Sequence, residues 1–137
     1  MKENLLQFLK FFLVGSLNFL IDLGILFLLI SASGMDKGWQ YSVFKGISFF
    51  IATVNSYFLN RAWTFESKER KFNLFLLISI IGFFINVGVA SLVVNSISPW
   101  FGLNSKTWAI IGAVKGSFVG LFWNFLGYKF IVFKENV

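Results

Sequence analysis

The chain has 137 residues, of which 57% are hydrophobic, 20% aromatic and 13% charged; a soluble domain of this length cannot bury so much apolar surface, whereas a lipid-embedded one need not. Cysteine and histidine are absent, which excludes disulfides, thiol chemistry and the usual zinc sites, so neither a metal nor a cofactor is expected. The net charge of +6 flanks apolar stretches instead of forming one patch, which suits anionic lipid and argues against nucleic acid as a partner.

Taken in chain order, the first apolar stretch runs from Phe11 to Gly34 with a single charge, Asp22, and predicts a helix near 8–31. Ser31-Ala32-Ser33 imitates a signal-peptidase site, but the apolar region is too long for a leader and carries Asp22, so it reads as a retained span. Gly15, Asn18 and Asp22 fall at i, i+3 and i+7, on one helix face. The second stretch, Gly38 to Asn60, contains one charge, Lys45, and predicts a helix near 39–61 with a small-polar stripe of Lys45, Ser48, Ala52 and Asn55. It ends in "SYFLNRAWTF", residues 56–65. The mixed-sign "ESKERKF" at 66–72 reads as a solvated turn.

A third helix is predicted near 72–96, without charges, bearing a polar-small face of Gly82 and Asn86. Pro99 and Gly102 end it, and Trp100 and Phe101 suit a membrane interface. The fourth, near 107–130, carries Lys115 and the close-approach pattern Gly112, Gly116, Gly120. It closes with "LFWNFLGYKFIVF", residues 121–133. Each stretch supplies the roughly 20 residues needed to cross about 30 Å of hydrocarbon. The expected fold is therefore an all-α integral membrane protein, one domain over 1–137 with four transmembrane helices.

Eight of the Lys and Arg residues (Lys2, Lys10, Arg61, Lys68, Arg70, Lys71, Lys129, Lys134) flank one side of these spans, against Lys37 and Lys106 on the other. The positive-inside rule then predicts that both termini and the 61–71 loop are cytoplasmic. The chain also overlays on itself. A shift of 64 places Asp22-Leu23-Gly24 on Asn86-Val87-Gly88, a shift of 68 places Arg61 and Phe65 on Lys129 and Phe133, and a shift of 70 places Lys45 on Lys115. Two helical-hairpin repeats that each begin and end inside are parallel, not inverted.

With "FLVGSLNFLIDLG" at 12–24, "SYFLNRAWTF" at 56–65 and "GLFWNFLGYKFIVF" at 120–133, the chain resembles the GtrA-like family of small four-helix membrane proteins over nearly its whole length. The family's helix-two and helix-four endings look like N-F-L-L-N-R-x-W-x-F. Here Ser56-Tyr57 stands for Asn-Phe, while Gly127-Tyr128-Lys129 stands for Leu-Asn-Arg and Ile131 for Trp. The resemblance implies a role in cell-surface polysaccharide or teichoic-acid glycosylation: moving a polyprenyl-phosphate-linked sugar from the cytoplasmic to the outer leaflet of the plasma membrane, between glycosyltransferases that make and use it.

The polar residues in and beside the spans form the candidate substrate site: Asn18, Asp22, Lys45, Asn55, Asn60, Arg61, Trp63, Lys115, Asn124 and Lys129. Asp22 is the one carboxylate within a span, so it marks a headgroup pathway or a structural bond to a neighbouring helix. Lys45 and Lys115 either snorkel, meet a phosphodiester as point charges, or pair with Asp22. Arg61 and Lys129 either anchor the inner boundary or clamp the lipid phosphate, with Trp63 placed to stack on a sugar. Asn55, Asn60 and Asn124 supply amides that must be satisfied. No acid/base pair, activated nucleophile or phosphate-cradling loop is visible, so no enzymatic activity is expected. A seam of helices one, two and four is the expected transit path. Four helices make a thin wall, so a homo-oligomer is expected. The rival readings are a membrane anchor or assembly subunit for a glycosyltransferase, and a small multidrug-type exporter using Asp22 as its cation site.

Overall fold

A computed structural model describes residues 2–64 and 69–132, apart from the side chains at 4, 69–71 and 129. Four helices account for nearly all of it: α1 (Lys2–Ser33), α2 (Gly38–Leu59), α3 (Glu69–Ser96) and α4 (Ser105–Gly127). The loop at 66–68, together with Phe65, Phe133 and Lys134, lies outside the described residues. α1 starts well before the apolar stretch, because its first turns, with Glu3 and Gln7, are helical without being greasy. α2 and α4 each run on into a π-helical turn, Asn60–Thr64 and Tyr128–Val132. These turns are offset by 68 residues, the shift that overlays Arg61 on Lys129.

All four helices are long and apolar enough to cross a membrane. Their surface is that of a protein solvated by lipid: Phe84, Leu92, Phe118 and Phe122 point outward, while Asn18, Asp22, Lys45, Ser48, Asn86 and Ser117 are buried. In hydrocarbon a polar side chain gains by facing other helices, and an apolar one loses nothing by facing tails. The chain is a multi-pass membrane protein.

The helices run alternately up and down. At the termini end, Lys10 Nζ donates to the Trp63 carbonyl at 3.1 Å, and the rings of Phe11, Phe75 and Tyr128 pack together. At the opposite end, Gly34 (φ 71°) lets the chain leave α1, with its N–H on the Ile30 carbonyl. Asn104 caps α4 by accepting from Thr107 N at 2.8 Å. Trp108 Nε1 donates to the Ile97 carbonyl at 2.9 Å, and Ser105 bonds Asp36 across the two loops.

Closest packing is between α3 and α4, next between α1 and α2, and α1 meets α4 over a short stretch. The glycine edge of α4 explains the first. A Cβ on Gly116 would strike the Asn86 carbonyl and come within 3.0 Å of Ala90 Cβ, and one on Gly112 would lie 2.5 Å from Val94 Cγ2. The partner of this edge is therefore α3 of the same chain. Two packed layers result. Leu26, Ile30, Tyr41, Ala90, Ala109 and Ala113 fill the loop end; Phe72, Phe75, Ile78, Tyr128 and Val132 fill the termini end.

Candidate functional site

Between those two layers lies a cavity partly open to the surroundings. It runs from Phe11 and Tyr128 near the termini end to Asp22, Asn86 and Ser117 half-way along the bundle.

Its inner limit is ionic. Lys45 Nζ, fully buried, pairs with Asp22 Oδ2, and Ser48 Oγ donates to Asp22 Oδ1 at 2.6 Å. The stripe Lys45, Ser48, Ala52 explains this, since it sets both donors on the face of α2 that meets the Gly15, Asn18, Asp22 face of α1. Both carboxylate oxygens are thus occupied. A pair so far from water survives only when such extra hydrogen bonds complete it. Lys45 also lies over the Phe49 ring, 5.5 Å from its centroid.

Lys115 is elsewhere. Its Nζ sits 4.2 Å from the Trp100 ring centroid and 5.5 Å from that of Trp108, at the loop end. An ammonium held over aromatic faces needs no carboxylate to be stabilised. Of the two lysines that the sequence offers to Asp22, the structure brings Lys45 to it and not Lys115.

Below the ion pair, amides and hydroxyls stand among aromatic and aliphatic side chains such as Phe19, Phe49, Leu76 and Leu121. Asn55 Nδ2 donates to Asn18 Oδ1 at 2.8 Å, crossing from α2 to α1. Asn86 Nδ2 donates to Ser117 Oγ at 3.3 Å, crossing from α3 to α4. Ser79 and Tyr128 share a 2.7 Å hydroxyl hydrogen bond. Three of the asparagines on the cavity wall keep a buried amide atom without a partner: Nδ2 of Asn18, Oδ1 of Asn86 and Oδ1 of Asn124. Asn124 is admitted by Gly82, where an added Cβ would collide with its Oδ1.

Asn60 and Arg61 occupy the π-turn at the end of α2, a device that is frequent at functional sites. Asn60 is fully buried, and its Nδ2 donates to Ser56 Oγ at 2.9 Å and to the Ser56 carbonyl at 3.0 Å. Arg61 is exposed and donates from Nη1 to Tyr57 Oη at 3.0 Å. Ser56 and Tyr57 both line the cavity, so Arg61 stands one side chain outside it. The Trp63 ring is half exposed beside Lys10 and does not line the cavity. The Lys129 side chain lies outside the described residues.

Of the sequence candidates, then, Asn18, Asp22 and Asn124 form the cavity wall; Lys45, Asn55, Asn60 and Arg61 touch that wall; Trp63 and Lys115 lie apart. The wall also includes helix three, through Ser79, Gly82 and Asn86. The expected seam of helices one, two and four left it out. Its signal was the Gly82 and Asn86 face, which the same glycine edge of α4 packs against; in an otherwise uniformly apolar helix that face reads as packing alone.

Residues 10–133 match the family model described as GtrA/DPMS, transmembrane domain. No solved structure matches the chain.

Proposed function

Since the chain belongs to the GtrA/DPMS transmembrane-domain family, we propose that it translocates a polyprenyl-phosphate-linked sugar from the cytoplasmic to the outer leaflet of the plasma membrane, for glycosylation of a cell-surface polysaccharide or teichoic acid. The observation that carries this reading is the cavity: walled by all four helices, lined by aromatic and aliphatic side chains with a cluster of amides, hydroxyls and the Asp22 carboxylate among them, and set in a bundle whose outside is apolar. Such a wall lets a headgroup leave water while its prenyl tail stays in lipid.

In this reading the termini end faces the cytoplasm. Arg61 and Lys129 recruit the phosphate there; a guanidinium offers phosphate a fork of donors and a lysine a point charge. The two hairpins act as parallel repeats around the headgroup. The packed layer at the loop end closes the outer exit, so transit requires that layer to part. The Asp22–Lys45 pair sits at the boundary between cavity and closed layer, where its rearrangement would accompany opening. The chain works as a carrier and not an enzyme, alongside membrane glycosyltransferases that make and use the lipid, and as a homo-oligomer that thickens the wall. An exporter would need Asp22 free to take a cation, whereas Lys45 and Ser48 hold both its oxygens.

The test is leaflet-resolved detection of the lipid-linked sugar in cells with and without the protein. Its loss should empty the outer-leaflet pool and raise the cytoplasmic one. An unchanged outer pool would contradict the proposal.

A further inference from the structure

Resting on the translocase reading, we propose that the central cavity is a subsite for the glycosyl group alone, that it selects an uncharged sugar, and that the carrier phosphate stays outside it beside Arg61.

The charge inventory separates the two parts of the headgroup. Among the described residues lining the cavity there is no lysine or arginine; Asp22 is the one formally charged side chain, and Lys45 already neutralises it. A phosphodiester in this space would be a buried anion without a counter-cation, beside a carboxylate, and burying an unpaired charge is among the costliest arrangements in a protein. A hydroxyl-rich neutral ring carries no such cost. The carboxylate of an acidic sugar carries the same one as the phosphate.

Hydrogen-bonding capacity points the same way. The open valences on the wall are Nδ2 of Asn18 and Oδ1 of Asn86 and Asn124, contributed by α1, α3 and α4. An ionised phosphate only accepts, so it leaves amide oxygens unsatisfied, whereas each sugar hydroxyl donates and accepts. Turning an amide over exchanges its donor and acceptor without removing either, so the match to hydroxyls does not depend on how each amide is oriented. Asn18 and Asn86 are only 8% and 3% exposed, and a buried amide atom left unpaired is unfavourable enough to expect a partner in the working state. The phosphate meets its cation outside the cavity, where Arg61 bonds Tyr57 and Tyr57 lines the cavity.

Three probes decide it, each bound to the purified full chain in nanodiscs: a short polyprenyl phosphate carrying a neutral hexose, the same lipid carrying a hexuronic acid, and the unsubstituted lipid phosphate. Wild type should bind the neutral glycosyl lipid about tenfold or more tighter than either of the others. Asn18→Ala and Asn124→Ala should each reduce that preference about five- to tenfold, the worth of one hydrogen bond, and leave affinity for the unsubstituted lipid unchanged. Arg61→Ala should weaken all three lipids alike. Asn124→Lys, which puts a cation on the wall, should raise affinity for the uronosyl lipid; this gain cannot arise from misfolding. Equal affinity of wild type for all three lipids overturns the glycosyl subsite while leaving the carrier-lipid reading standing. Binding of none of them overturns both.

Discussion

Asp22 and Lys45 carry the sharpest consequence at the scale of single residues. Lys45 is 0% exposed and its ammonium is held by the Asp22 carboxylate. Asp22→Asn therefore leaves a buried charge facing an amide, and breaking one side of such a pair costs about 3–5 kcal/mol. The variant should unfold at a clearly lower temperature in detergent than wild type. Pairing Asp22→Asn with Lys45→Met removes both charges and should restore most of the lost stability, since an apolar replacement of a whole pair is often neutral. Transport should not return with it if the charges act in opening. A double variant no more stable than Asp22→Asn would show that the pair is not the coupled unit described. Asp22 was legible in the sequence because it is the one acid in four apolar spans. Its partner was not, because Lys45 and Lys115 lie at similar depths. The deciding signal was Trp108, seven residues before Lys115 on the same helix face, which with Trp100 gives that ammonium another resting place.

Among the elements, the α3–α4 pair depends on backbone proximity. Gly116 admits the Asn86 carbonyl and Ala90, while a methyl group added at Gly88, on the outside of α3, would meet nothing within 4 Å. Gly116→Leu should therefore force the helices apart and lower the unfolding midpoint by several degrees, for an overpacking cost of about 1–3 kcal/mol. Gly88→Leu should stay within about 0.5 kcal/mol of wild type. Thermal unfolding of the two variants side by side checks this, and equal midpoints would mean that the glycine edge faces lipid. The four-residue glycine spacing marked the edge in the sequence, yet such spacing serves contacts within a chain or between copies equally well, so the partner had to come from the fold. The part of α3 in the cavity wall was hidden for a related reason. Periodicity locates the buried face of a helix that is half polar, and α3 offers almost no polar face to locate. The π-turns at Asn60–Thr64 and Tyr128–Val132 were hidden too, because a π-turn changes hydrogen-bond register without any change in composition.

For the molecule as a whole, four spans were legible because bilayer thickness fixes helix length whatever the contacts between helices. The cavity was not, since it exists only where four lateral positions meet. Direction across the membrane rests on the distribution of Lys and Arg. As the chain has no cysteine, single substitutions report cleanly. Lys2→Cys should resist an impermeant maleimide in intact cells, whereas Met35→Cys and the 96% exposed Phe101→Cys should react; the reverse pattern would put Arg61 on the wrong side for a cytoplasmic donor. Translocation by this bundle requires transport by the chain alone. Purified protein should be reconstituted into liposomes containing a polyprenyl-phosphate hexose in both leaflets, and the fraction accessible to an impermeant reagent followed with time. The protected half should become accessible at a rate that rises with protein density and falls in the Asp22→Asn/Lys45→Met variant. A protected half that stays protected, at every density and with the protein folded, would contradict translocation by this chain and favour an anchoring role.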